Sequence, residues 1–151
     1  MVGRSGYSIM PPATQLFEHI LPHRAPMLML SKILLQDKRS IHCSSIIETQ
    51  NPLLVDGYFP PLGGLELLAQ ASGVMLGESK TNQETSVGVI ARIKSLQILE
   101  MAIPVGAELH IHAKLMAGNL DAAMIEGHVL FNERTFCSGT MMLATLSDVE
   151  L

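Results

Sequence analysis

Tryptophan is absent from this 151-residue chain, and aromatic residues make up only 4% of it. Long basic runs are absent too: ten Lys and Arg stand against fourteen Asp and Glu, for a formal net charge of −4. A surface short of cations and stacking rings suits nucleic acid poorly, because such sites draw on both. Cysteine is scarce. Cys43 and Cys137 each lie inside an apolar, strand-like run without a spaced framework, so reduced core thiols are expected rather than a disulfide scaffold or a metal cluster. No stretch reaches the ~20 uninterrupted apolar residues of a membrane-crossing helix. The longest, Leu62 to Leu76, is broken by Glu66 and Gln70. The opening "MVGRSGYSIMPPATQ" has no continuous hydrophobic signal region, from which a cytoplasmic protein is expected. A P-loop, a Gly-rich dinucleotide motif and a nucleophile elbow are also missing, which sets nucleotide-dependent and serine-hydrolase chemistry aside.

What is present is apolar. Hydrophobic residues make up 48% of the chain and the mean hydropathy is +0.32. That is more than the surface of a small monomer absorbs, so a deep core, an apolar channel or a subunit interface is expected. The length suits a single domain, read as an N-terminal extension over 1–12 followed by one domain over 13–151.

"ATQLFEHIL" (13–21) has helical spacing and is stopped by Pro22. "MLMLSKILL" (27–35) and "SIHCSSII" (40–47) read as strands around the polar turn "QDKRS", and a Pro- and Gly-rich loop, "QNPLLVDGYFPPLGG", follows. Residues 65–79 read as one helix. Glu66, Gln70, Gly73 and Gly77 form a single thin polar or small stripe on it, and the other faces are apolar, so protein is expected to wrap most of the helix. Strands then follow at 85–99, 107–115, 123–131 and 136–146. The strand at 107–115 alternates strictly, with Glu108, His110, His112 and Lys114 on one face. One buried helix beside long strands points to an α+β fold in which a sheet wraps the helix, with edges that a dimer would cover.

Four stretches, "LPHRAPMLMLSKIL" (21–34), "ELLAQASG" (66–73), "ARIKSLQILEMAIPVGAEL" (91–109) and "CSGTMMLA" (137–144), resemble in order the hotdog-fold 3-hydroxyacyl-carrier-protein dehydratases of fatty-acid synthesis. The divergent loop before the helix is similar to that of the dehydratase-like proteins of aryl-polyene and polyketide clusters. The resemblance implies a dimeric hotdog fold: an antiparallel sheet around one long central helix. It also implies removal of water from 3-hydroxyacyl thioesters carried on the phosphopantetheine of acyl carrier protein or CoA, with no metal or redox cofactor. In the family a histidine of a "GHFPG" loop faces the helix glutamate across the dimer interface, the histidine taking the α-proton and the glutamate protonating the departing hydroxyl. Glu66 matches the glutamate. Where the histidine would stand this chain reads Gly57, Tyr58, Phe59, Pro60. A tyrosine with a pKa of ~10 is a poor base at neutral pH, and the best replacement is His23 of the "LPHR" segment.

Glu66 also has a purely structural reading. With Gly63 as N-cap it occupies the third helical position, where a carboxylate complements the helix dipole. Tyr58, Phe59, Gly63, Gly64 and Gln70 are the candidate substrate-binding residues. Lys32, Arg92 and Lys94 are candidate contacts for an acidic carrier protein. His110 and His112 have the spacing of two metal ligands, but beside Glu108 and Lys114 they read as a solvated sheet face. Met27, Met29, Met141 and Met142 fit either an adaptable acyl channel or ordinary core filling. Two other functions stay open. One is thioester hydrolysis, with Glu66 activating water and the Gly63 and Gly64 N–H groups polarising the carbonyl. The other is a non-catalytic acyl-binding subunit or the partner subunit of a heteromeric dehydratase; under every reading a homodimer or a heterodimer with a related hotdog subunit is expected.

Overall fold

The computed structural model of the chain describes residues 17–18, 20–21, 23–77, 86–119 and 121–147. The expected extension 1–12 and much of the first helix lie outside them. Among the described residues six strands and one long helix stand out: β1 (Lys32–Gln36), β2 (Ser40–Ile46), α1 (Gly64–Gly77), β3 (Ser86–Ile98), β4 (Glu108–Gly118), β5 (Ala122–Phe131) and β6 (Arg134–Ser147). They form one antiparallel sheet in the order β1-β2-β4-β5-β6-β3, a hotdog fold.

Local chemistry sets the turns. Asp37 Oδ1 accepts the N–H groups of Arg39 and Ser40, both at 2.8 Å, and closes the β1–β2 hairpin. Asn132 and Glu133 both take φ above +50°, the paired left-handed geometry of a tight β5–β6 hairpin. The alternation expected of β4 is present. Leu109, Ile111, Ala113 and Leu115 are buried, while Glu108 and Lys114 are exposed on the other face.

Helix α1 packs Leu67, Leu68, Ala71, Val74 and Met75 against Leu109, Ile111, Ile125, Val129 and Met141 of the sheet. Gly127 permits a close approach: a Cβ there would lie 2.6 Å from Leu68 Cδ2. Cys43 and Cys137 are free and fully buried, and burial pushes their thiols up to about 12 and about 11.

One expected strand begins late. The chain from Met27 to Ser31 is irregular, because Met27 O and Met29 N–H bond to the side chain of Gln70 and not to a neighbouring strand. Among the described residues no helix is long and apolar enough to cross a membrane.

Candidate functional site

The polar stripe of α1 is a seat. The chain comes in along the helix with Ile20 against Gly77 and Leu21 against Gly73, and it reaches Glu66 at His23. It then turns through Ala25–Met27 and doubles back onto Gln70. Small residues at 73 and 77 leave room for a second piece of chain, and the polar residues at 66 and 70 bind it.

At the head of this seat His23 Nε2 stands 3.0 Å from Glu66 Oε2. Gln70 is fully buried and engages three groups. Its Nε2 donates to Glu66 Oε2 at 2.9 Å and to Met27 O at 2.8 Å, and its Oε1 accepts the Met29 N–H at 3.0 Å. Arg24 ties the arriving segment from the other side, its Nη1 donating to Leu21 O at 2.9 Å and His23 O at 2.8 Å. The side chains of His23 and Glu66 keep 27% and 30% exposure, so the pair is held by protein yet open to a ligand. His23 Nδ1 is buried and has no hydrogen-bond partner among the described residues.

Burial by itself would raise the Glu66 carboxyl. The hydrogen bonds from His23 and Gln70, together with the charge on His23, outweigh it and hold the carboxyl below the ordinary glutamate range. Glu66 is therefore ionised near neutrality. Its place in the first turn of α1 is the one the dipole reading required, so the structural and chemical readings coexist.

The remaining candidates fall elsewhere. Tyr58 is half-exposed and fixed by its backbone, which bonds to Val55 and bridges to Pro104; among the described residues the Glu66 side chain bonds to His23 and Gln70, not to Tyr58. Phe59 is fully buried, its ring 2.6 Å from where a Gly63 Cβ would stand, so in a single chain it is a wedge under the helix start. The amides of Gly63 and Gly64 are already engaged. Gly63 N–H donates to Pro60 O at 2.8 Å, and Gly64 N–H is directed at Pro61 O and Leu62 O within the 3-10 turn Pro61–Gly63. Gly64 also packs against Cys137, where a Cβ would come within 2.6 Å. The carbonyl-polarising donors expected for hydrolysis are thus used by the fold. The turn that leads into α1 needs those bonds, which the Gly-Gly pair alone did not reveal.

Lys32 lies on edge strand β1, whereas Arg92 and Lys94 lie on β3 at the opposite edge; the strand order separates them within one chain. His110 and His112 belong to a larger group. Cross-strand register brings His42 of β2 and His128 of β5 alongside them on the outer face of the sheet. His42 stacks on His112 with ring centroids 4.0 Å apart, and His112 stacks on His128 at 4.9 Å. His42 Nε2 and His110 Nδ1 are 2.9 Å apart with centroids at 5.1 Å, so the two nitrogens face each other as a hydrogen-bonded pair and do not converge on a third point as metal ligands would.

The family model of ApeP-like dehydratases matches residues 15–150. The 3-hydroxyacyl-(acyl-carrier-protein) dehydratase FabZ of Colwellia psychrerythraea is 24% identical over 133 residues, covering 83% of this chain and 87% of its own length. Among solved structures, the dehydratase heterocomplex ApeI:P from Xenorhabdus doucetiae aligns with a TM-score of 0.77 at 22% identity, over 89% of this chain and 91% of that one. A hypothetical thioesterase from Streptococcus pneumoniae, solved with coenzyme A, aligns with a TM-score of 0.59 at 15% identity, over 78% and 86%. At these identities the structural matches speak for the fold alone.

Proposed function

This chain belongs to the ApeP-like dehydratase family, and from that premise we propose that it removes water from a 3-hydroxyacyl thioester presented on a phosphopantetheine arm, with His23 and Glu66 as the proton-transfer pair. The observation that carries the reading is the 3.0 Å contact between them, made within one chain and partly open to solvent. The substitution of Tyr58 for the usual loop histidine removes one base, and His23 supplies an imidazole at the same carboxylate.

The reaction breaks the α C–H bond, forms the C=C bond and releases the 3-hydroxyl as water. One group must take a proton and another must give one, each worth ~10²–10⁴-fold. With the Glu66 carboxyl held low, the resting carboxylate is the group free to take the α-proton, and the His23 imidazole hydrogen-bonded to it is the group that passes a proton to the departing hydroxyl. This exchanges the roles that the family resemblance implied. The thioester carbonyl acidifies the α-position, so the reading requires no further cofactor.

The test is turnover of a 3-hydroxyacyl carrier protein to the enoyl product. Glu66→Gln and His23→Ala are each expected to lower kcat by roughly 10²-fold or more. Full activity in both variants overturns the proposal. Release of free thiol with no enoyl product would favour hydrolysis instead, a reading weakened by the engaged Gly63 and Gly64 amides.

The same reading includes a partner. Strand β3 is a sheet edge, and residues 91–95 are exposed in sequence, on both faces of the strand, unlike the buried alternation of β4 and β5. An edge of this kind invites pairing with a second strand. A second copy or a related hotdog subunit fits it, and the heterocomplex neighbour makes the related subunit the first candidate. Light scattering of the chain alone and with such a subunit distinguishes homodimer, heterodimer and monomer. A monomer under both conditions sinks this part.

A further inference from the structure

Beyond the Gly64 that opens it, α1 carries two glycines, at 73 and 77, where alanine would favour the helix. What their missing methyl groups admit is the segment that ends at His23. A Cβ on Gly73 would lie 2.8 Å from Leu21 Cδ2, and a Cβ on Gly77 would overlap Ile20 Cγ2. These contacts differ in how they yield. Leu21 Cδ2 is the end of a flexible side chain, although a buried one. Ile20 Cγ2 is fixed on a β-branched carbon, so relief there requires the main chain to move.

Such a movement has a route to the site. His23 follows Ile20 by three residues, and Arg24 bonds to both Leu21 O and His23 O, so this stretch is tied together as it reaches Glu66. The His23–Glu66 contact is already 3.0 Å, and a displacement of several tenths of an ångström takes it out of good hydrogen-bond geometry. Gln70 holds the far side of the turn at Met27 and Met29 and prevents the segment from shifting as a whole.

Building on the dehydration reading, we infer that Gly77 and Gly73 are positioning residues: by admitting Ile20 and Leu21 they set the distance between His23 and Glu66. Their effect passes through the imidazole.

The experiment compares Gly77→Ala, Ile20→Ala and the double variant, reading kcat and KM on a 3-hydroxyacyl carrier protein, the melting temperature, and the imidazole ¹⁵N resonances of His23. Gly77→Ala is expected to lower the melting temperature modestly, because the added methyl overpacks against Ile20, to leave KM within about two-fold, to lower kcat by about ten-fold and to move the His23 resonances. Removing Cγ2 in the double variant is expected to restore kcat to within about three-fold and return the resonances. A kcat and resonances unchanged in Gly77→Ala overturn the inference, as does a loss that persists in the double variant. Gly73→Ala, the milder clash, with Leu21→Ala as its partner, carries the same test where Gly77→Ala does not fold. If the wild-type chain converts no 3-hydroxyacyl substrate, the dehydration reading has failed, and the His23 resonances still decide the positioning claim by themselves.

Discussion

Histidine is used in two opposite ways on the two sides of one sheet. On the helix side His23 meets a carboxylate, Glu66, and a neutral amide, Gln70, holds that carboxylate in place. On the outer side His42, His110, His112 and His128 meet one another. A proton added to the first group finds a compensating charge. A proton added to the second finds other bases competing for charge in a partly desolvated row, so burial first and the neighbouring imidazoles next lower His42 and push His112 down to about 4. The lesson is that burial and the charge of the neighbours together, not the residue type, decide how readily an imidazole of the outer row takes a proton.

The largest effect is expected from removing the arm that builds the first environment. Gln70→Leu keeps the volume but takes their partner from the buried Met29 N–H and the part-buried Met27 O, and it takes one hydrogen bond from Glu66. Each unsatisfied buried group costs about 1–3 kcal/mol, so a loss of roughly 2–4 kcal/mol in urea unfolding is expected, along with a fall in kcat beyond any change in KM. If the variant were as stable as wild type, the seat would be held by packing alone.

How much of this was legible in the sequence follows the range of the interactions. Strand β4 and helix α1 announce themselves through local periodicity, which tertiary packing reinforces. The stripe at 66, 70, 73 and 77 was visible as well, but what fills it was not. The occupant arrives from more than forty positions away and doubles back, so no local pattern marks Met27–Ser31 as an irregular strap in place of a strand. Gly63 and Gly64 illustrate the converse error. Two glycines before a helix resemble a donor pair aimed outward, and only the bonds of the 3-10 turn reveal that both amides are engaged. In the outer array His110 and His112 are neighbours by spacing, whereas His42 joins them only through the β2–β4 register, which no single segment encodes.

The second environment is broken by acid. The folded chain refuses the proton that unfolded His112 would accept near pH 6.5, so the unfolded state binds more protons and stability falls as pH drops from about 6.5 toward 4. His112→Gln removes that refusal and should flatten the stability curve in this window. The array is only part-buried, with Lys114 and Glu126 in the adjacent row, so after allowing for screening about 1 kcal/mol is expected at pH 4.5 and almost nothing at pH 8. Urea midpoints measured at both pH values check it. Equal slopes in variant and wild type would mean that the array does not resist protonation.

The finest test moves the solution of one side to the other. His110→Glu places a carboxylate opposite His42 Nε2, where a second imidazole nitrogen now stands at 2.9 Å. His42 then has the kind of partner that His23 has, and protonating it relieves a negative charge instead of adding to a cluster of bases. The variant should gain about 0.5 kcal/mol over wild type near pH 5.5 and lose that advantage above pH 7.5, so that the two stability curves cross. Glu108, two residues along the same strand face, repels the new carboxylate and keeps the gain small, while Lys32, paired with Ser44 in the same cross-strand row as position 110, partly offsets it. Parallel curves would show that solvent, not the neighbouring side chain, sets the proton affinity of His42, and the contrast between the two faces of the sheet would then reduce to their difference in burial.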